Sequence, residues 1–244
     1  PKLDNIKKYK SLLNDDTFPL FHAGRIMDTS SAKYAVNEKI LDAVGMTRAH
    51  IADPYLVQKM MENREDDIRP CVGAGYCIDR IYVGLESLCI HNASTSREEM
   101  YPHEITKNTE ICRNIVIIGG GIAGLECARI CKIRGHNVTL YEANAKLGGQ
   151  VLLASKANWR RDLSNIIDWR VNQCDKLGVT IHTQTYADYE TIIEDNPDVV
   201  IIATGGIPNT DFMLDNTGKE YVNTVWDILS GDIQPKNNVI IIDY

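Results

Sequence analysis

The stretch "NIVIIGGGIAGLECARICKIRGHNVTLYE", residues 114–142, decides the fold of the second half of this chain. An apolar run leads into a glycine-rich turn, and a run with helical spacing then ends at Gly135 before a second apolar run begins. This order predicts a strand, a tight turn, a helix and a second strand, which together form the first unit of a parallel α/β sheet.

The glycine-rich turn has the spacing and the surroundings of a dinucleotide-binding fingerprint. Gly119 permits the tight turn, Gly121 lets the backbone approach a pyrophosphate, and Gly124 lets the helix pack closely on the strand. The start of the helix, which includes Ala123, offers free N–H groups to the phosphates. Glu142 ends the next strand, where a carboxylate accepts hydrogen bonds from a ribose diol and repels a 2′-phosphate. The pattern therefore favours FAD or NAD over NADP, and a glycine-rich turn without a ligand is the alternative.

Two further glycine-rich segments follow in the same half. "LGGQ" (147–150), with Gly149 and Gln150, comes after the acid, and "ATGG" (203–206) closes an apolar run. Glycines here allow the backbone to run close to a bound cofactor, although both segments could also be plain turns. Their number in one domain favours FAD over NAD.

The rest of the second half continues the alternation of helices and strands. We expect helices over 159–176 and 187–195, and strands over 179–185 and 198–206. The final residues, "NNVIIIDY", have the pattern of another strand that lacks a continuation, and the chain begins with Pro1. We therefore expect the sequence to be a fragment of a longer polypeptide.

The first 65 residues predict two strand–helix units after an initial helix. We expect helices over 3–14, 30–40 (N-cap Ser30 or Ser31) and 53–63 (N-cap Asp53), and strands over 18–24 and 41–48. Such units pair in parallel and fit the end of a β/α barrel. Gly24-Arg25 follows the apolar part of the first strand and Thr47-Arg48 ends the second, at the strand ends where barrels commonly bind a phosphate. Surface ion pairs are an equally good interpretation of the two arginines.

The segment between these halves carries a cysteine loop, "RPCVGAGYCIDRIYVGLESLCIHN" (69–92). Cys71, Cys77 and Cys89 are typical iron–sulfur ligands, but Ala74 stands where a C-x-x-C partner would fall. A four-iron cluster on three cysteines, with water, a small molecule or a side chain such as His91 or Asp79 on the fourth iron, is one outcome. A three-iron cluster, an empty loop and a zinc site without a clear fourth ligand are the others. We favour a bound cluster, because exposed thiols without a metal are open to oxidation.

Composition excludes several classes of protein. The chain of 244 residues has a formal net charge of −7 and no cluster of Lys or Arg, which argues against binding nucleic acid. No apolar run approaches the roughly 20 residues that span a bilayer, and no signal-peptide pattern opens the sequence. We expect no membrane partner and a cytoplasmic location, since the cysteines lack the arrangement of a disulfide framework. The remaining cysteines are expected to be ordinary thiols: Cys112, Cys127, Cys131 and Cys174.

Taken in order, the segments resemble the multidomain flavoenzymes related to old yellow enzyme, which include trimethylamine dehydrogenase and 2,4-dienoyl-CoA reductase. The resembling stretches are "FHAGRIMD", "VGMTRAHIADPYLVQKM", "DDIRPCVGAGYCIDR", "LCIHNA", "IVIIGGGIAGLECAR", "LGGQ" and "VIIATGG". The loop wording "GYCIDRIY" and "CIHNA" is closest to the N-methylproline demethylase branch. Ala74 departs from the family pattern, which has a cysteine there.

The resemblance implies an α/β chain with three parts. Residues 1–65 would end an FMN-binding (β/α)8 barrel, residues 66–113 would carry a [4Fe–4S] cluster, and residues 114–244 would be an incomplete Rossmann-like FAD- or ADP-binding domain, cut where an inserted nucleotide domain begins. By the same resemblance, the FMN phosphate would contact Gly24, Arg25, Thr47 and Arg48, and the iron would be bound by Cys71, Cys77 and Cys89.

The resemblance also implies an oxidoreductase that demethylates an N-methylated amine at FMN and passes electrons through the cluster toward the FAD or ADP domain. The alternative is an NADH-dependent reductase of enoyl compounds, in which electrons flow the other way. A second alternative is a non-catalytic electron-transfer module that works with a partner chain. An electron-transfer flavoprotein or NADH as redox partner and a homo-oligomeric state are further expectations. No catalytic residue can be named from this sequence.

Overall fold

The computed structural model of the chain describes residues 3–13, 18–108, 110–209, 222–236 and 238–242. The chain divides into two compact units, Pro1–Thr106 and Lys107–Tyr244, so the cysteine segment up to residue 106 belongs to the first. None of the helices in the described ranges has both the length and the apolar character that crossing a bilayer requires.

The first unit contains a pair of short parallel strands joined through a helix. Phe21 lies opposite Ala43 and His22 opposite Val44, which confirms the predicted parallel pairing. Its elements are α1 (Leu3–Leu13), β1 (Phe21–His22), α2 (Thr29–Asn37), β2 (Ala43–Val44), α3 (Thr47–Ala52), α4 (Leu56–Met61) and α5 (Tyr76–Tyr82). One apolar core joins α1 to α4 and is formed by Ile6, Ile26, Ala32, Ala35, Ile40, Leu41, Met46, Ala49 and Leu56.

Three local predictions for this unit are wrong. Asp28, not a serine, caps α2, because its Oδ1 accepts a hydrogen bond from the Ser31 N–H at 2.7 Å. Thr47 does not end a strand, since β2 stops at Val44 and α3 begins at Thr47. Asp53 does not cap the next helix; it ends α3, and α4 begins only at Leu56. The helix α5 inside the cysteine loop was not predicted at all.

The second unit is a four-stranded parallel sheet in the order β5-β4-β3-β6. Its elements are β3 (Asn114–Ile118), α6 (Ile122–Ile133), β4 (Asn137–Tyr141), α7 (Gln150–Ala154), α8 (Ser164–Lys176), β5 (Thr180–His182), α9 (Tyr189–Glu194), β6 (Val199–Ile202) and α10 (Val225–Ser230). In chain order the strands read 3-2-1-4, which is the order of the dinucleotide-binding α/β fold. The predicted α/β class with parallel sheets is confirmed.

Burial explains why these segments adopt their elements. Three consecutive residues of β3, Ile115 to Ile117, are buried, as expected for a central parallel strand covered on both faces. The helix α6 buries Leu125 and Ala128 at helical spacing, and α8 packs Ile167 into the same core. The sheet and the two helices therefore form one apolar core behind the glycine-rich turn.

The boundaries differ from the predictions where local signals are weak. The helix predicted over 159–176 consists of a 3₁₀ segment, Asn158–Leu163, followed by α8. The helices α7 and α10 were missed, although the Thr224–Asp227 capping box of α10 was readable in the sequence. Residues 238–242 form no strand, and Ile240 and Ile241 are exposed, so that prediction is wrong for the described part of "NNVIIIDY".

Candidate cofactor sites

The three fingerprint glycines meet different surroundings in the glycine-rich turn. A Cβ atom at Gly124 would lie 1.9 Å from the Gly119 carbonyl oxygen, and one at Gly119, whose φ is +109°, would lie 2.4 Å from the Ala203 oxygen. A Cβ atom at Gly121 would meet no atom within 4 Å among the described residues. Packing therefore requires Gly119 and Gly124, whereas Gly121 faces open space into which a ligand could fit.

Glu142 is buried and holds the glycine-rich turn from the end of β4. Its Oε2 accepts a hydrogen bond from the Gly120 N–H at 2.7 Å, and its Oε1 accepts from the Asn144 N–H and Nδ2–H, both at 2.8 Å. The sequence predicted a ribose-binding acid here but not these partners. The Glu142 carboxylate thus binds the residue next to Gly121. An adenosine ribose beside the open space at Gly121 would be within reach of this carboxylate.

The "LGGQ" and "ATGG" segments converge on the same turn. The Gly148 N–H donates to the Gly120 oxygen at 2.8 Å, and a Cβ atom at Gly149 would lie 3.2 Å from the Gly121 Cα. Gln150 Nε2 donates to the Gly206 oxygen at 3.0 Å. Because β3 and β6 are neighbours at the point where the strand order reverses, these segments frame the usual ligand crevice of an open α/β sheet. The exposed Ala123 lies beside it in the first turn of α6.

A second candidate site lies in the first unit, where the three loop cysteines line one cleft. We call it the cysteine cleft, and it opens to solvent. All three thiols are half-buried. The lining residues are Arg48, Ile51, Cys71, Val72, Gly73, Ala74, Gly75, Tyr76, Cys77, Cys89, Ile90 and His91. The structure therefore brings together residues that are 18 positions apart in the sequence, Cys71 and Cys89.

Polar groups of the cleft lie close to two of the three sulfur atoms. The His91 N–H donates to the Cys89 Sγ at 3.4 Å, and a Gly73 backbone hydrogen bond reaches Cys71. Burial raises the pKa of the Cys71 thiol, while that hydrogen bond and the nearby Arg48 charge act to lower the pKa. Hydrogen bonds to the sulfur atoms are also a regular feature of protein-bound iron–sulfur clusters.

The cleft can be compared with the needs of a single ion and of a cluster. Within the described part of the chain, no group of three His, Cys, Asp or Glu side chains forms a site for one metal ion, which gives no support to zinc on the three cysteines. In a polynuclear cluster each thiolate binds a different iron, and the three thiols line one common cleft. The residues present fit an iron–sulfur cluster.

Both arginines predicted to bind a phosphate lie at the cysteine loop. Arg48 lines the cleft, and Arg25 Nη2 lies 3.7 Å from the position of a Cβ atom at Gly73. Arg25 has a φ of +53°, an uncommon value for a residue with a side chain. Thr47 precedes Arg48 in the first turn of α3, and Gly24 is close to the His22 ring. Whether these residues also contact FMN stays a prediction.

A thiol pair that sequence reasoning missed lies on α6. The sulfur atoms of Cys127 and Cys131 are 3.9 Å apart, because positions i and i+4 share one face of a helix. The hydrogen bond from Cys127 lowers the pKa of Cys131 to about 7. The four-residue spacing in a predicted helix was the available signal. Cys174, by contrast, is a buried thiol whose pKa burial raises to about 11, as expected for an ordinary core cysteine.

Comparison with known proteins matches both units. The family model described as an NAD(P)-binding Rossmann-like domain matches residues 117–187. Over 243 residues the chain is 50% identical to a probable N-methylproline demethylase of Rhizobium meliloti, covering 100% of this chain and 35% of the relative. It is 45% identical over 232 residues to the N,N-dimethylglycine/sarcosine dehydrogenase of Chromohalobacter salexigens, covering 92% and 33%. The chain thus spans about a third of the length of the curated relatives it matches.

A third relative and two solved structures extend the match. The chain is 46% identical over 225 residues to the multifunctional alkene reductase/demethylase OYE of Caballeronia cordobensis, covering 92% of this chain and 32% of that one. A 2-naphthoyl-CoA reductase complex superposes with a TM-score of 0.86 at 31% identity, covering 95% of this chain and 35% of that chain. Histamine dehydrogenase from Rhizobium sp. 4-9 superposes with a TM-score of 0.77 at 26% identity, covering 88% and 33%.

Proposed function

Because this chain belongs to the flavin oxidoreductase family related to old yellow enzyme, we propose that it is part of an enzyme that oxidatively demethylates an N-methylated amine at FMN. The cysteine cleft would hold an iron–sulfur cluster, which would supply electron transfer between the flavin and an FAD- or ADP-binding domain formed by the second unit. The substrate class follows from the 50% identity to the probable N-methylproline demethylase.

The observation that carries this proposal is the cysteine cleft. Three thiols from one loop line the same cleft, which is the kind of arrangement that a polynuclear cluster needs. A cluster bound by these three thiols could transfer electrons between two cofactors.

For FMN, we propose Gly24, Arg25, Thr47 and Arg48 as the phosphate-binding residues. The strands β1 and β2 are parallel neighbours, so the residues that follow them lie at the same edge. A guanidinium can donate two hydrogen bonds to phosphate oxygens at once, and two cations suit the phosphate dianion. Their place at the cysteine loop supports a short path between the two cofactors.

For the cluster, we propose Cys71, Cys77 and Cys89 as ligands. The chain's own contribution would be to position the three thiols around one cleft, with the His91 N–H donating to the Cys89 Sγ and the Arg48 charge near Cys71. The bound flavins and the cluster would supply the redox chemistry, while the protein sets their positions and potentials.

For the dinucleotide, we propose a site on the glycine-rich turn. The open space at Gly121 would take the pyrophosphate, and Glu142 would accept hydrogen bonds from the ribose diol. The backbone at Gly149 and the Gln150 side chain support the cofactor from the neighbouring segment. A carboxylate at this position favours FAD or ADP over a 2′-phosphorylated nucleotide, and NAD(H) is the partner in the reductive alternative.

The test is anaerobic rapid mixing of the intact, cofactor-loaded protein with N-methylproline in one experiment and with NADH in another. We expect the amine to bleach the flavin absorbance within seconds and formaldehyde to appear in proportion to the flavin reduced. Fast bleaching by NADH and none by the amine would instead support reduction of an enoyl compound, which the alkene reductase among the relatives favours. Bleaching by neither donor would support a non-catalytic electron-transfer module.

A further inference from the structure

Cys127 and Cys131 form a pair of thiols on α6, and neither of them lines the cysteine cleft. Their sulfur atoms are 3.9 Å apart, and both residues are half-buried. Residues four positions apart lie on one face of a helix, one turn after the other. The helix therefore holds two sulfur atoms side by side on a face that the core of the second unit covers only in part.

The pair carries charge that suits a cation. The hydrogen bond from Cys127, with a smaller contribution from the Arg134 charge, lowers the pKa of Cys131 to about 7. The same hydrogen bond, together with burial, raises the pKa of Cys127. Above neutral pH the two sulfur atoms therefore hold one proton and one negative charge between them.

A disulfide is a poor fit for this pair. The Cβ atoms of residues four positions apart in a helix are about 5–6 Å from each other. A disulfide needs a Cβ separation of about 3.5–4.5 Å, so the turn between the two cysteines would have to distort. The same turn packs Ala128 into the apolar core of the second unit, so the distortion would disturb that core as well.

A metal ion fits the pair as it stands. Zinc binds thiolate sulfur at about 2.3 Å, so two thiolates on one tetrahedral zinc ion are about 3.8 Å apart. The separation of the Cys127 and Cys131 sulfur atoms, 3.9 Å, is close to this value. Soft thiolates also select zinc over magnesium and calcium, which prefer carboxylate and carbonyl oxygen.

The described residues supply two ligands and no more. Within that part of the chain, no third His, Cys, Asp or Glu side chain joins the pair to form a metal-binding group. Glu126, whose charge reaches Cys127, has its carboxylate oxygens paired with Arg129 at 2.7 Å and Arg170 at 2.9 Å. Water would therefore occupy the other positions of a four-coordinate ion.

We propose that Cys127 and Cys131 bind a thiophilic divalent cation of the zinc type, with solvent completing its coordination. Binding forms two sulfur–metal bonds and releases the proton of the pair to solvent, and no group changes its oxidation state. The bound cation links two consecutive turns of α6 and so stabilises the helix that follows the glycine-rich turn. This inference does not depend on the proposed function.

The experiment titrates the intact, cofactor-loaded protein with Cd²⁺ under anaerobic conditions. The ultraviolet absorbance of cadmium–thiolate bonds reports binding, and X-ray absorption identifies the neighbours of the metal. The difference between the wild type and Cys127→Ser should amount to one cation with two sulfur neighbours. Cys127→Ser and Cys131→Ser should each bind at least about 100-fold more weakly, because losing a direct ligand costs no less than losing one of its hydrogen-bond partners. Cys127→His should keep the cation, with one sulfur and one nitrogen neighbour.

Two controls separate this site from the other thiols. Cys112→Ser removes an exposed thiol elsewhere and should bind like the wild type. Cadmium bound at the cysteine cleft would be common to all these proteins and would cancel in the differences. Circular dichroism shows whether each variant is folded.

Thermal unfolding gives a second measurement. Zn²⁺ should raise the unfolding temperature of the wild type more than that of the double variant Cys127→Ser/Cys131→Ser, since a cation bound only by the folded state stabilises it. Equal cadmium affinity in the wild type and the two serine variants would overturn the proposal. Loss of binding in Cys112→Ser with retention in Cys127→Ser would also overturn it, because the cation would then lie elsewhere.

Discussion

Replacing Gly121 with alanine should remove the dinucleotide while leaving the fold of the second unit unchanged. Gly121 precedes α6 as its N-cap with a φ of −72°, a value that alanine also adopts, and an added Cβ atom meets no described atom within 4 Å. Losing glycine at an N-cap costs about 0.5–1 kcal/mol. Alanine also lowers the conformational entropy of the unfolded chain, which stabilises the folded state by about 0.4–1 kcal/mol. The net change in the free energy of unfolding should therefore be within about 0.5 kcal/mol.

The binding loss should be much larger. The added methyl group would project into the space assigned to the pyrophosphate and displace it from the free N–H groups of the turn. Loss of one hydrogen bond to a charged group costs about 1.5–3 kcal/mol, which corresponds to a roughly 10- to 150-fold weaker affinity. The assay is titration calorimetry with ADP, together with the FAD content of the purified protein.

Gly124→Ala is the matched control, and for this variant we expect a loss of stability. Its Cβ atom would lie 1.9 Å from the Gly119 oxygen, so the backbone must shift, at a cost of about 1–3 kcal/mol or more in the free energy of unfolding. This variant should unfold at a lower temperature, by about 2–4 °C for each kcal/mol. If Gly121→Ala binds ADP with wild-type affinity, the phosphates do not lie at this turn and the reasoning is refuted.

Three further predictions concern other parts of the chain. Glu142→Gln replaces one of the two carboxylate oxygens that accept hydrogen bonds from Gly120 and Asn144, so ADP should bind roughly 10- to 100-fold more weakly in calorimetry. The preference of the site for ADP over 2′-phosphorylated ADP should also shrink. An unchanged preference would contradict the role of the carboxylate. Alkylation of Cys131 by iodoacetamide, followed by peptide mass spectrometry, should reach half its maximal rate near pH 7. In Cys127→Ala this midpoint should shift toward about pH 8.5, because the hydrogen bond that stabilises the Cys131 thiolate is gone. Equal pH profiles in the two proteins would exclude the coupling between the two thiols. Asp53→Asn should destabilise the first unit by about 2–4 kcal/mol in thermal unfolding, since the nearly fully buried carboxylate pairs with Lys59 at 2.6 Å. The double variant Asp53→Asn/Lys59→Met should lose less unfolding free energy than the two single variants together. Simple additivity of the two losses would argue against the pair.

The predictions from sequence succeeded where the signal was local. The glycine-rich turn, α6 and the two flanking strands were predictable because backbone sterics restrict φ at Gly119 and hydrophobic periodicity marks the helix. They were less accurate at element ends, where several residues can cap a helix equally well. Ser30 and Ser31 were also able to cap α2, but the helix begins earlier, at Thr29, and Asp28 Oδ1 accepts the hydrogen bond from the Ser31 N–H.

What the sequence alone determined is the dinucleotide fingerprint, the presence of three loop cysteines and the absence of a fourth at Ala74, because each is set by residue type and spacing. Only the tertiary structure decided that Arg48, Cys71 and His91 meet at one cleft. These residues lie 20 to 43 positions apart, so their meeting depends on tertiary contacts such as the hydrogen bond from Asn92 Nδ2 to the Ile51 oxygen, which joins the loop to α3. Such contacts form when the burial of apolar surface closes long loops of the chain. They cannot be predicted from a short window of sequence.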